Sequence, residues 1–269
     1  MLVRGMADEL AGQGQADEDD VLLARDASPF YLKLSESVLR RTPEHLALAE
    51  SVAGGFTQYA YAFVASEGER IESRDSRAAQ RHYERAARLY LRAQQHALRA
   101  LELNQPGLRA ALAAPALPAG FALKADSVGV AYWAAAAWGA HIALSKDRPD
   151  VVADLPQAIR LATLAWQAAP EHGHGALASL MGTLEMARPG GSRAQAQAYF
   201  DRAVALGAGR NAGVFVAQAE AIAQPAGERE SFERLLRQAL DAAQAQRDLG
   251  NEVMRERALW LLATLDERF

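Results

Sequence analysis

The C-terminal half of the chain repeats itself, and that limits what it can fold into. Between Ser192 and Leu206 the residues Ala196, Phe200, Ala203 and Leu206 fall at helical spacing. Between Glu230 and Leu240, Phe232, Leu235 and Ala239 stand in a similar frame, with Phe232 placed 32 residues after Phe200. An upstream copy, Ala158 to Ala169, runs into Pro170. One helical hairpin cannot bury its own apolar face, so a recurring hairpin implies copies stacked on one another.

A period of roughly 34 residues, helix-turn-helix content and a proline at the end of the second helix make up the tetratricopeptide pattern. The spacing predicts helices over 154–169, 174–187, 192–206, 212–224, 228–247 and 249–266. They are broken at Pro170, Pro189-Gly190-Gly191, Gly207-Ala208-Gly209 and Pro225-Ala226-Gly227, which are ordinary helix stops. Ser192 follows the double glycine as a capping residue. The last helix, with Met254, Leu259, Trp260, Leu261, Leu262 and Leu265, is expected to close the array as a cap.

The N-terminal half is helical without a clear repeat. Residues 1–16 read as a flexible tail, and Asp17-Glu18-Asp19-Asp20 as negative charge at a helix N-terminus, where the macrodipole favours it. Ser28-Pro29 reads as a helix restart, serine capping and proline at the first helical position, and Thr42-Pro43 as a second one. The helix that follows carries Phe56, Tyr59 and Phe63 on one face, and its Gly54-Gly55 pair marks a close approach or a local kink. Ser73 to Leu103 reads as one long helix. Tyr83, Ala87 and Tyr90 line one side of it, and Arg81, Arg85, Arg88 and Arg92 line the other. Asn104 to Lys124 holds three prolines and two glycines and reads as an ordered connector, with a short helix at Leu108–Ala113. Val128 to Leu144 is apolar nearly all round. It falls short of the roughly 20 residues a membrane span needs and contains His141, so it is expected at the centre of a core. The fold class expected is all-α, a helical-bundle lobe plus a tetratricopeptide-like α-solenoid. The expected divisions are a tail at 1–16, a lobe and connector at 17–124, and the array with its capping helix at 125–269.

Composition excludes more than it selects. Half of the 269 residues are hydrophobic, alanine dominates that half, and aromatics make up 7%, which suits close helix-helix contact. A net charge of −4 and a pI near 5.9 argue against a nucleic-acid footprint. Without cysteine there is no disulfide, no thiol catalysis and no cysteine-ligated zinc. His172 and His174 lie in a glycine-containing turn with no third ligand at a metal spacing. His82 and His96 share a helical side, without a carboxylate to complete a metal frame, and read as surface or interface residues. The glycines between Gly207 and Gly213 follow a helix, not a strand, so a dinucleotide loop is not indicated. No acid/base couple or nucleophile elbow stands out. The expectation is a non-enzyme with no cofactor and no metal. The candidates for holding a ligand or partner are two aromatic sets, Phe56, Tyr59 and Phe63, and Tyr132, Trp133 and Trp138, with core packing as the alternative.

Several segments, taken in order, resemble one known family. They are Ala27-Ser-Pro-Phe-Tyr-Leu-Lys-Leu-Ser-Glu-Ser-Val-Leu39 with Pro43, Phe56-Thr-Gln-Tyr-Ala-Tyr-Ala-Phe-Val64 and Ala86-Ala-Arg-Leu-Tyr-Leu-Arg-Ala93. Then come Ala131-Tyr-Trp-Ala-Ala-Ala-Ala-Trp-Gly139, Val152-Ala-Asp-Leu-Pro156 and Leu262-Ala-Thr-Leu-Asp-Glu-Arg-Phe269. From about Asp17 to Phe269 the chain resembles the T component of tetratricopeptide-associated TRAP transporters. The resemblance implies a non-enzymatic periplasmic protein, homotrimeric, that docks the system's solute-binding protein and holds or relays a small apolar or organic-acid ligand. It also points to Tyr59, Phe63, Tyr132, Trp133 and Trp138 as binding positions. Such proteins are lipid-anchored through an N-terminal cysteine, which this chain lacks, so the anchor and leader are expected upstream of it. The competing expectation is a cytosolic tetratricopeptide adaptor that grips a peptide or protein in a concave groove.

Overall fold

The computed structural model describes residues 2–12 and 18–269, and among them finds helix and turn but no strand. Two compact units emerge, one built from residues 2–12 and Arg25–Ala169, the other from residues 18–24 and Pro170–Phe269. The division falls after Ala169 and not at the proline-rich connector, because the apolar helix beyond the connector packs back onto the helices before it.

In the first unit, α1 (Leu2–Gly12) forms a helix where the sequence suggests a loose tail. Ala7 and Leu10 are buried. His45 Nε2 donates to Asp8 Oδ1 at 2.9 Å and the Tyr31 hydroxyl to the Leu10 carbonyl at 2.5 Å, which tie α1 down. Asp17 lies outside the described residues. α2 (Val21–Leu39), which belongs to this unit from Arg25 on, runs through Ser28-Pro29 without a restart. Its start is set by Asp20, whose carboxylate accepts from the Leu22 and Leu23 amides. Pro29 forfeits a single helical hydrogen bond, and α2 carries on past it. Thr42-Pro43 likewise does not open the next helix. Thr42 turns its hydroxyl back onto the Val38 carbonyl, and α3 (Leu46–Tyr59) is capped by His45, whose Nδ1 accepts from the Leu48 amide at 3.1 Å.

α3 continues through a turn of π-helix, Ala60–Ala65, into α4 (Ser66–Ile71). The Ser66 amide there bonds the Tyr61 carbonyl, five residues back. α5 (Ser76–Asn104) is capped by Asp75, whose side chain accepts from the Ala78 amide. α6 (Leu108–Ala113) matches the short helix expected in the connector. Its last turn is held by Arg160, which donates to the carbonyls of Leu112, Ala114 and Pro115. α7 (Val128–Ala143) packs against α5, α3 and α9 (Leu155–Ala168), with the one-turn α8 (Pro149–Val152) between α7 and α9 in sequence. The alanines of α7 supply the contact surface: Ala131, Ala134, Ala135 and Ala137 have no solvent exposure. No helix among the described residues is long and apolar enough to cross a membrane.

The second unit holds α10 (Ala176–Ala187), α11 (Arg193–Leu206), α12 (Ala212–Gln218), α13 (Arg229–Ala245) and α14 (Leu249–Ala263). α12 runs on through a π-helical segment, Ala219–Ala223. These bounds follow the sequence-predicted spans closely, because proline, glycine and capping residues mark each end. Ser192 accepts from the Gln195 amide, and Asn211 from the Gly213 amide at 3.0 Å. α10 pairs with α11, α12 with α13, and α13 with α14. The two phenylalanines of the repeat frame, Phe200 and Phe232, are fully buried; such burial stabilises by about 2–3 kcal/mol per side chain. Gly182 sits under Phe200, where a Cβ would fall 2.8 Å from the ring. Gly175 has φ 100°, and a Cβ there would run into the Ala203 carbonyl oxygen, so this corner of the α10/α11 hairpin admits only glycine.

Candidate functional site

The site region of the first unit is organised by two reciprocal contacts between α3 and α7. A Cβ on Gly54 would lie 2.8 Å from Trp133 Cε2, and a Cβ on Gly129 would run into the Glu50 carboxylate. One helical turn separates Glu50 from Gly54, and one turn separates Gly129 from Trp133. The two helices therefore run parallel, each offering a glycine to the other's large side chain. This is the close approach expected at Gly54-Gly55; Gly55 meets Leu32 in the same way, its Cβ position 2.5 Å from Leu32 Cδ2.

The six aromatic candidates separate by depth. Phe56 and Trp138 are buried in the core. Tyr59, Phe63, Tyr132 and Trp133 are half-buried. They form two local pairs, Tyr59–Phe63 with ring centroids 5.5 Å apart and Tyr132–Trp133 at 4.8 Å in an edge-on arrangement. Trp133 stands over Gly54, whereas Tyr59 packs against the buried cluster of Ala60, Val64, Ala65, Ala86 and Tyr90. Burial pushes the Tyr132 hydroxyl up to about 12, so it stays protonated at neutral pH. The π-helical turn at Ala60–Ala65 re-aims Tyr61 and Phe63 relative to a regular α-helix, and such turns occur often at functional sites.

A charged cluster lies beside the aromatics, unnoticed in the sequence because its members come from two helices. Glu36 on α2 is 1% exposed. Its carboxylate accepts from Lys33 Nζ at 2.6 Å, from Arg92 through two guanidinium nitrogens, and from His96 Nε2 at 2.8 Å. Arg40 stands 3.3 Å away. Burial by itself would raise the pKa of this carboxyl. The hydrogen bonds from Arg92, Lys33 and His96 outweigh it and hold the group far below the usual carboxylate range. The only signal in the sequence is the spacing of Lys33 and Glu36 on α2, with Arg40 just past its end, and of Arg92 and His96 on α5. His96, read as a surface or interface residue, is instead half-buried and bonded to this acid. Arg92 also lies over Phe56, 5.1 Å from the ring centroid, and Arg85 over Tyr59 at 5.9 Å. Both arginines thus connect the charged surface of α5 to the aromatics of α3.

The remaining titratable candidates do not assemble a reaction centre. His141 is buried and donates from Nδ1 to the Ala87 carbonyl at 3.0 Å. Burial lowers its proton affinity despite that bond, which favours neutral imidazole. His172 and His174 lie in the turn before α10, where Gly173 and His174 adopt left-handed backbone angles. Among the described residues no group of three or more histidines and carboxylates is arranged to hold a metal.

Comparison with known proteins places these features in context. The family model described as TRAP transporter T-component matches residues 17–269. An uncharacterized protein of Treponema pallidum (strain Nichols) is 26% identical over 267 residues, covering 94% of this chain and 81% of that protein. Among solved structures, the crystal structure of a thermophilic tetratricopeptide-repeat protein of Thermus thermophilus superposes with a TM-score of 0.51 at 17% identity, covering 90% of this chain and 94% of that one. That likeness is one of fold, and it agrees with the all-α, solenoid-type reading.

Proposed function

The chain belongs to the TRAP transporter T-component family, and from that premise we propose that it is a periplasmic docking protein for the transporter's solute-binding protein. The observation that carries the reading is the family match, which runs from residue 17 to the C-terminus. Membership makes the protein an accessory component of a TRAP transporter. In our reading it acts by binding, as a homotrimer, and holds or relays a small apolar or organic-acid ligand on its way to uptake. In our reading a lipid anchor keeps it at the membrane.

Three features support the finer points. The half-buried Tyr132–Trp133 and Tyr59–Phe63 pairs offer flat apolar surface, and arginines stand over Tyr59 and Phe56. Such a combination suits a ligand with an apolar body and an anionic end. Phe30 and Leu34 on α2 are exposed, Phe30 at 77%, and apolar side chains left in water on one helix suit self-association.

The test is a binding titration of the purified protein with the solute-binding protein of its own TRAP system. Saturable binding is expected, together with a three-chain particle by light scattering. No saturable binding, or a 29.0 kDa monomer at working concentration, would count against docking or trimer respectively. Specific capture of a cytosolic peptide instead would favour the adaptor reading.

A further inference from the structure

We propose that the outer face of α5 is the surface on which the acidic face of the solute-binding protein docks; this rests on the docking function proposed above. α5 carries six arginines, Arg77, Arg81, Arg85, Arg88, Arg92 and Arg99, against two glutamates, Glu84 and Glu102. Their spacing keeps them on one stripe of the helix, and at 1.5 Å per residue the stripe is about 33 Å long. Five of the six are exposed, and Arg92 is half-buried.

On α5 the six arginines outnumber the two glutamates by four charges. Among the described residues only Arg92 has a carboxylate at ion-pair distance. Glu102 is engaged by the amides of Gly107 and Arg109 at the start of α6. Glu84 accepts from Gln80. Glu72, beyond the end of α4, accepts from the Tyr83 hydroxyl. Where Arg92 meets Glu36, Lys33 and Arg40 crowd the same carboxylate, so even the paired end of the stripe keeps an excess of positive charge.

The protein as a whole carries −4. A local cationic stripe on an anionic chain sets up a field that orients an incoming partner and does not hold any polyanion indiscriminately. Net charge and pI run against nucleic acid. The apolar side of α5 is turned inward, with Ala79, Ala86, Tyr90, Ala93, Ala97 and Leu101 all buried, so the helix has no apolar face to sink into a bilayer. What fits is a protein surface bearing a row of carboxylates.

The experiment measures association of the full chain with the TRAP solute-binding protein by surface plasmon resonance at low and high salt. The variants are R81E/R85E/R88E, the neutral R81Q/R85Q/R88Q, and R234E/R237E on α13 as a control of equal type. Circular dichroism and melting identify any variant that has lost its fold, and the glutamine set keeps the proposal testable if the glutamate set does. The expected result is affinity weakened about tenfold or more by the α5 changes, mostly through the association rate, with a flatter salt dependence. The control should bind like the wild type. If the wild type binds and the α5 variants bind equally well, the stripe is not the docking surface, while the proposed function stands. If the wild type does not bind the solute-binding protein at all, the docking function itself fails and this inference with it. Stripe-dependent binding to phosphatidylglycerol vesicles in place of the protein would assign the surface to lipid and overturn it.

Discussion

Replacing Glu36 by glutamine tests the charged cluster with little change of shape. The carboxylate accepts four hydrogen bonds, from Lys33, from two nitrogens of Arg92 and from His96. At about 1.5–3 kcal/mol per bond to a charged group, the gross interaction is large. Against it stands a desolvation cost of several kcal/mol for a buried carboxylate. Glutamine keeps one acceptor oxygen and adds an amide donor that faces guanidinium and imidazole donors. The stranded cations can rehydrate, since Lys33 and Arg40 are more than half exposed. The balance is a loss of about 2–4 kcal/mol at neutral pH, or about 6–12 °C in Tm if unfolding is cooperative.

The pH profile gives an independent check. The folded carboxyl lies well below its ordinary value of 4.5, so the unfolded state takes up the proton first on acidification. The contribution is therefore complete above that ordinary value and is lost as pH falls through it towards the folded value. Denaturant melts of wild type and E36Q should differ most near neutrality and converge in acid. A double-mutant cycle with R92M should return a favourable coupling. A loss under about 0.5 kcal/mol, within the range of an ordinary surface change, would refute the reasoning, as would parallel pH profiles.

Phe200→Ala should cost about 3–5 kcal/mol, because a fully buried ring leaves a cavity; calorimetry that finds no change would disprove its place in the core. Asn251→Ala should cost about 2–3 kcal/mol in urea melts, since its side chain accepts from the Ala212 amide and donates to the carbonyls of Arg210 and Gln246. Trp133→Ala should lose only about 2 kcal/mol, its ring being half-buried, and should weaken capture of a fluorescent apolar carboxylate probe; unchanged capture would remove Trp133 from the ligand surface. Ser192→Ala should cost about 1 kcal/mol through its cap on α11, and an unchanged midpoint would show that the cap is dispensable.

Where helix ends are marked by local chemistry, the sequence was a good guide. The repeat helices are bounded by Pro170, Pro189-Gly190-Gly191 and Ser192, and the structure ends and starts its helices there. The same logic misled at Ser28-Pro29 and Thr42-Pro43. Both have the composition of a helix start, yet Asp20 and His45 supply the caps. A serine–proline pair permits a start without requiring one when the apolar pattern on both sides suits a single helix. The π-helical turns at Ala60–Ala65 and Ala219–Ala223 were not legible either, because one inserted residue hardly disturbs an alanine-rich periodicity.

The candidate site shows the same divide. Aromatic residues at helical spacing could be picked out, but their depth could not: Phe56 and Trp138 face the core, while Tyr59, Phe63, Tyr132 and Trp133 stay half-buried. The sequence by itself determined that the chain is all helix, where most of its helices begin and end, that its acidic balance does not suit nucleic acid, and that its longest apolar run is too short for a membrane span. Those properties depend on residues near one another in the chain. Only the tertiary structure decided that α7 returns to α3 and α5, that each glycine of the α3/α7 pair meets its large partner, and that Glu36 gathers bases from two helices. Those contacts join residues from different helices, and the choice among them is made by shape and desolvation after the helices have formed.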